Sequence, residues 1–461
     1  MGSLNSGAWG QETYLHPAVA GALLLAIVLI FLLPRRQVMV PIICGALLIP
    51  MDEVVVAGPF HFQVLRILIL AGWIRMVGNA LKSGQPFFAG RINVLDKFVI
   101  LFAFFDAINY VLLWDGSSEA FVNRFGALYT VLGIYFLFRF LIHDDEDVTA
   151  AISVLAYVST VIAVVMLIEQ ATGRNPYGFL GGSRGWTRES LMVRSERFRA
   201  MGPFLHPILA GTFGAISLPL FIGLWLTQQN RRLYAVIGIL SATAIVIECA
   251  SSTPMMAYAS GVLALALWPM RQQMRSLRWG LALSVILLHL VMKAPVWALI
   301  QRVDLVGGSS SYHRYYLLDS FIRHFGDWWL LGIKDTSTWG ADMWDHANQY
   351  VSVGTTSGLI PLAIFISIIA FAFKYLGNAV KRFRTDRRKS LLLWALGAGL
   401  FANVVAFFGI AYHDQTVLVW WALIAMISTL ATAPKRETAS ANPNTAHRSK
   451  ALVLDFPLYS E

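Results

Sequence analysis

"LIPLAIFISIIAFAFKYLGNAVKRFRTDRRKSLLLWALGAGLFANVVAFFGI", Leu359 to Ile410, decides the fold. Two apolar runs, each near the ~20 residues a helix needs to cross ~30 Å of hydrocarbon, flank the stretch "KRFRTDRRKS". Lysines and arginines between two such runs mark a cytoplasmic loop in a chain that threads a bilayer. The rest of the sequence repeats the pattern. It is 57% hydrophobic and 13% charged, with a mean hydropathy of +0.61. Soluble domains average about 45–50% apolar and about 25% charged. An integral membrane protein follows, and a soluble one is excluded.

Apolar runs of spanning or near-spanning length lie near 17–33, 38–57, 61–80, 97–114, 124–142, 149–168 and 203–227. Others lie near 233–250, 254–270, 278–297, 358–377, 390–411 and 415–433. The expected fold is therefore an all-α, polytopic transmembrane helix bundle of about 12–13 spans. The second run is interrupted by Asp52 and Glu53, and "CASSTPMM" reads as a tight turn between the eighth and ninth runs. The first run has no basic n-region before it and is read as a retained helix. Cys44 and Cys249 both lie in or beside apolar stretches, against a disulfide framework or a zinc site.

The formal charge of +10 does not call for nucleic acid, because its sources are loops. "PRRQ", "NRRLY", "MRQQMRSLRW", "KRFRTDRRKS" and "PKRETAS" each follow an odd-numbered run. With those loops in the cytoplasm, the N-terminus lies outside. Residues 1–433 form the membrane domain, and 434–461 a polar, aperiodic cytoplasmic tail expected to be disordered. Two long loops, about 169–201 and 293–357, fall outside, the second partly helical. Loops of that length are uncommon unless functional.

The first loop carries Arg174, Arg184, Arg188, Arg194, Arg197 and Arg199 against Glu169, Glu189 and Glu196. It is either an ordinary solvated loop or an outward anion site, since guanidinium forks bind phosphate oxygens bidentately. In the second loop, "SYHRYYLLDSFIRHF" has the pattern of a surface helix, and Trp328, Trp329, Trp339 and Trp344 follow. Those tryptophans suit a membrane boundary or a sugar-stacking path, and the sequence does not separate the two. The loop then closes with "WDHANQYVSVGTTSGLIPL", Trp344 to Leu362, where Asp345, His346, Asn348 and Tyr350 stand just before an apolar run.

"GDWWLLGIKDTSTW" followed by "HANQYVSVGTTSGLIPLAIF" resembles the signature of the O-antigen ligase and polymerase superfamily, with Leu331 to Lys334 as one element and Asn348, Tyr350 and Gly358 to Ile360 as the other. Upstream, "RAMGPFLHPILAGTF", Arg199 to Phe213, is similar to the family's element at the end of an external loop. Two departures stand out. Ala347 separates His346 from Asn348, and Ser252-Thr253-Pro254 lacks the arginine the family carries in its middle helices.

The resemblance implies a metal-independent glycosyltransferase without a cofactor. It would act on an undecaprenyl-diphosphate-linked glycan at the periplasmic face of the inner membrane. Arg199 and Arg314, with Arg197 nearby, would hold the diphosphate. His346 or Asp345 would activate the acceptor hydroxyl, with Asn348, Tyr350 and Trp344 shaping the site. Polymerisation of an exopolysaccharide or O-antigen is the leading expectation, and ligation to lipid A-core the alternative. The bilayer, a chain-length regulator and a flippase are the implied partners.

Other readings stand beside these. Asn348 fits a helix N-cap, His346 an exposed loop residue, and Arg199 a snorkelling anchor. His206 and Pro207 read as the start of a helix. A lipid-linked oligosaccharide transporter or flippase would concentrate ionisable residues mid-membrane. Asp106 and Glu248 are few for that, and a non-catalytic export component remains the third class.

Overall fold

The computed structural model describes residues 13–83, 88, 90–180, 193–194, 197–302 and 311–432. The expected tail, 434–461, lies outside the described residues, as do Arg184, Arg188 and the side chains of Arg194 and Arg197. The protein is an all-α polytopic helical bundle. Among the described residues eight helices are long and apolar enough to span a membrane. They are α3 (Val64–Ser83, spanning as Val64–Lys82), α5 (Ser118–Leu141), α6 (Asp145–Thr172), α7 (Pro207–Thr227), α8 (Arg232–Glu248, spanning from Gln229 with the 3-10 turn before it), α10 (Met274–Val291), α14 (Leu359–Arg382) and α15 (Arg387–Ala406). Shorter or more polar helices stand at the other expected runs: α1 (Pro17–Leu32), α2 (Met39–Leu48), α4 (Val94–Leu113), α9 (Ser252–Ala266) and α16 (Thr416–Thr432).

The run 38–57 is the main correction. Helix α2 has ten residues, about 15 Å of rise, and does not cross ~30 Å alone. After it the chain leaves as an antiparallel hairpin, β1 (Val54–Ala57) on β2 (Phe60–Gln63). Glu53 explains the break: its buried carboxylate accepts the backbone N–H of His16 at 2.7 Å. A buried carboxylate takes such a donor rather than lipid.

Helix α7 is the centre of the bundle, with 89% of its apolar window buried. It starts as the sequence suggests, with His206 Nδ1 accepting the N–H of Ile208 and Pro207 at the first position. Small residues let neighbours approach closely: a Cβ on Gly223 would stand 2.3 Å from that of Ala395, and one on Gly214 2.9 Å from the carbonyl oxygen of Ala242. Helix α10 is the opposite case, with no buried residue.

The basic loops gather at one end. Arg36 pairs with Glu146 and Asp144, Arg35 with Asp147, and Lys389 with Asp145 at 3.7 Å. Arg388 donates to the carbonyl of Thr227, and Arg382 to that of Ala431. Just inside this end Arg139 and Asp96 form a buried ion pair, 3.0 Å apart. Tyr135 donates to Asp96, and Arg139 also donates to Thr429 on α16. Both long loops lie at the other end.

Candidate active site at the loop end

The part of the second loop from Ser311 to Ser357 packs on itself. It contains α11 (Ser311–Arg323), the short α12 (Phe325–Trp328) and α13 (Gln349–Ser357). The tryptophans divide. Trp328 stacks on Phe321 with ring centres 3.9 Å apart and donates to its carbonyl. Trp339 stacks on His324 and donates to Asp327. Both are buried, whereas Trp329 and Trp344 are 46% and 58% exposed.

The two motif elements lie against each other. Gly332 has φ +100°, and a Cβ there would meet the carbonyl oxygen of Thr355 at 2.4 Å. Gly358 has φ +87°, and a Cβ there would meet that of Leu330 at 2.5 Å. Backbone N–H groups close the joint: Ile333 donates to Thr355 and Leu359 to Trp329. Only glycine combines the left-handed conformation with that approach.

Asn348 is the N-cap of α13. Its Oδ1 accepts from the N–H of Tyr350 at 2.9 Å and of Val351 at 3.2 Å, and its Nδ2 donates to Phe408 O. Tyr350 donates to Val404 O, sits edge-on to Phe365 and Phe407, and lies tilted against Phe408. Both side chains are tied to backbone groups: Asn348 caps α13 and reaches Phe408, and Tyr350 reaches Val404.

His346 is likewise held rather than presented. Thr336 gives its hydroxyl proton to Met343 O at 2.7 Å, so at 2.9 Å from His346 Nε2 it accepts the ring N–H. The other nitrogen, Nδ1, is 3.3 Å from Thr355 Oγ1. Burial, with His313 adding to it, lowers the imidazole pKa to about 4. The Thr355 hydroxyl gives its own proton to Val351 O at 2.8 Å, so the ring is held through Nε2 alone, and its lowered pKa makes it a weak base.

Asp345 is presented. Its carboxylate is 54% exposed and 3.9 Å from His313 Nε2. Withdrawal from water raises its pKa, opposed by His313, His413 and Arg314 around it. Arg314, on α11, is buried. The structure thus brings Asp345, His313, Arg314 and His413 together, beside exposed Trp344.

Arg199 belongs to another part of the same end. It is buried, with Nε donating to Cys249 O at 3.4 Å, while Ala200 N donates to Glu248 O. It is not snorkelling to the surface. The link between the two arginine segments is the connection from Phe407 to Gln415. Gly409 packs on Thr253, beside the Cys249 turn, and Gln415 donates to Pro203 O. On the other side Gln349 N donates to Phe407 O and Gln349 Oε1 accepts from Tyr412 N. Residues 407–415 were missed in the sequence as part of the site. The signal was "YHDQ", Tyr412 to Gln415, a polar cluster between the last two apolar runs.

The chain matches no family model and no curated protein.

Proposed function

We propose that the loop end is the active site of a glycosyltransferase. In this reading it polymerises an undecaprenyl-diphosphate-linked oligosaccharide at the periplasmic face of the inner membrane, in the manner of an exopolysaccharide or O-antigen polymerase. The observation that carries the reading is the cluster of Asp345 with His313, Arg314 and His413. It stands at the end opposite the paired basic loops, which the positive-inside bias assigns to the cytoplasm. The motif resemblance supports the substrate class.

The chemistry follows from the parts. An acceptor hydroxyl forms a bond to the anomeric carbon as the bond from that carbon to the diphosphate oxygen breaks. The diphosphate leaves with the electron pair, and the hydroxyl proton passes to the Asp345 carboxylate. A raised carboxyl pKa makes Asp345 a stronger base than an ordinary aspartate. Arg314, buried beside it, supplies charge-assisted hydrogen bonds to the departing diphosphate, where electrostatic stabilisation counts most. Arg199 adds a second guanidinium across the 407–415 connection. Trp344 and Trp329 offer exposed ring faces to sugars.

The direct test is purified protein in liposomes with carrier-linked repeat unit. Chain growth with release of undecaprenyl diphosphate is expected. Substrate returned unchanged, or moved across the bilayer without release, would overturn the proposal.

A further inference from the structure

At the basic end a cavity of about 320 Å³ is lined by Trp268, Arg271, Arg384, Arg387 and Ser390. It lies between the turn after α9 and the connection from α14 to α15. Several other arginines of this end have partners: Arg35 and Arg36 hold carboxylates, and Arg231, Arg382 and Arg388 hold backbone carbonyls. Among the described residues no carboxylate lies within ion-pair distance of Arg271, Arg384 or Arg387. Asp386, next in sequence to Arg387, is turned to cap α15 through the N–H of Lys389.

Three guanidiniums around one cavity repel each other unless an anion sits among them. The cavity is also furnished. Arg271 is fixed by its donation to Trp268 O at 3.1 Å, with its guanidinium 4.3 Å from the Trp268 ring centre. Trp268 is in turn held edge-on by Trp394, whose Nε1 donates to Ala264 O. Ser390 gives its proton to Phe383 O and lies in the first turns of α15. The volume is at the lower end of the ~300–1,000 Å³ of small-ligand sites, enough for a phosphodiester with its immediate substituents.

We propose that this cavity binds a phosphate group, carried either by an anionic glycerophospholipid headgroup or by a soluble phosphate ester. The site stands apart from the loop end, at the opposite end of the helices, and its existence does not depend on the reaction there. Its tryptophan and its position where helices end fit a lipid headgroup.

The test uses full-length protein in detergent, titrated with phosphatidylglycerol, phosphatidylcholine and inorganic pyrophosphate, and read by native mass spectrometry and thermal unfolding. Wild type is expected to retain phosphatidylglycerol over phosphatidylcholine. The Arg384→Ala/Arg387→Ala variant should bind it about tenfold or more weakly, and Arg384→Lys/Arg387→Lys should recover part of the affinity. Arg278→Ala, an exposed arginine at the same end, should behave as wild type. Arginine-dependent binding of pyrophosphate without lipid retention would assign the site to a soluble phosphate. If the double alanine variant binds every ligand as Arg278→Ala does, the proposal is overturned. Both replaced side chains are exposed, so folding is checked by monodispersity and by the lysine pair.

Discussion

Ser357 donates its hydroxyl to Asp106 Oδ1 at 2.6 Å, and Arg124 holds Oδ2 of the same carboxylate at 3.1 Å. Asn109 adds a bond to Ser357 O. The break between α13 and α14 is thereby tied to α4, and Asp106 serves as an anchor rather than as a mid-membrane carrier group. Asp106→Ala should lower stability by about 1.5–3 kcal/mol, the range for a hydrogen bond to a charged group. Ser357→Ala should cost about 1 kcal/mol. Thermal unfolding in detergent reads both, and an unchanged midpoint for Asp106→Ala would show the anchor to be idle.

Gly332→Ala and Gly358→Ala should each disrupt the second loop. Each puts a Cβ within 2.4–2.5 Å of a backbone oxygen at a positive φ. Strain of this backbone kind alone costs about 1–3 kcal/mol. Gly326→Ala is the control, since nothing lies within 4 Å of its Cβ position. Proteolysis of the loop should rise for the first two variants and not for the third. Equal resistance in all three would contradict the joint.

The roles of Asp345 and His346 separate by mutation and by pH. Asp345→Asn should lose about 10²–10⁴-fold in rate, the usual contribution of a positioned base. His346→Gln should stay near wild type, because the ring serves as a donor to Thr336, which an amide N–H can replace. Activity should fall in acid through the Asp345 carboxyl, above the ordinary 3.8. An acid limb centred on an ordinary histidine pKa, with His346→Gln inactive, would restore the histidine as the base.

The same imidazole makes a stability prediction. Its folded pKa is depressed to about 4, so below about 6.5 the unfolded chain binds a proton that the folded one refuses. The stabilisation is complete above about 6.5 and is lost as pH falls towards about 4, by up to about 3 kcal/mol. The difference in unfolding midpoint between wild type and His346→Gln should follow that window. A difference independent of pH would mean that the ring is not buried neutral.

Arg314→Ala and Arg199→Ala should abolish transfer, and lysine should restore only part, because a point charge does not replace the guanidinium fork. Both side chains are buried, so each variant is scored only where its unfolding midpoint shows it folded. Normal-length polymer from a folded alanine variant would remove that arginine from the diphosphate.

For topology, Thr338→Cys in the second loop should react with an impermeant thiol reagent from outside intact cells. Thr385→Cys, between α14 and α15, should react only after permeabilisation. Both positions are exposed, and Cys44 is replaced by alanine in each. The reverse pattern would put the site in the cytoplasm.

Most of the bundle was legible because hydropathy reports which segments leave water, and a helix stands at each of the thirteen expected runs. It failed at 38–57, where a buried Glu53 finds its donor in His16, 37 residues earlier, a pairing no local window contains. The candidate site residues could be named from the sequence, but their contacts could not. Asn348 and Tyr350 are polar because they reach Phe408 and Val404, and His346 because it donates to Thr336. Polarity in a sequence marks a need for partners without naming them. Asp345 was weighed against its neighbour, and only the surrounding His313, Arg314 and His413 distinguish the two.

The buried pair of Arg139 and Asp96 also bears on how the chain is made. Its charged atoms come from α4 and α5, adjacent in synthesis, so the two can enter the bilayer as one hairpin with their charges already matched. The network is still incomplete then. Thr429 receives the Arg139 N–H from 290 residues downstream, and Ser428 donates to Asp96 from 332 residues downstream. Helix α16 is made long after α4 and α5, and it carries the groups that finish satisfying a charge pair inserted near the start. A chain halted before α16 would hold that pair with part of its hydrogen bonding unmet, so the docking of α16 serves as a late closing step of assembly.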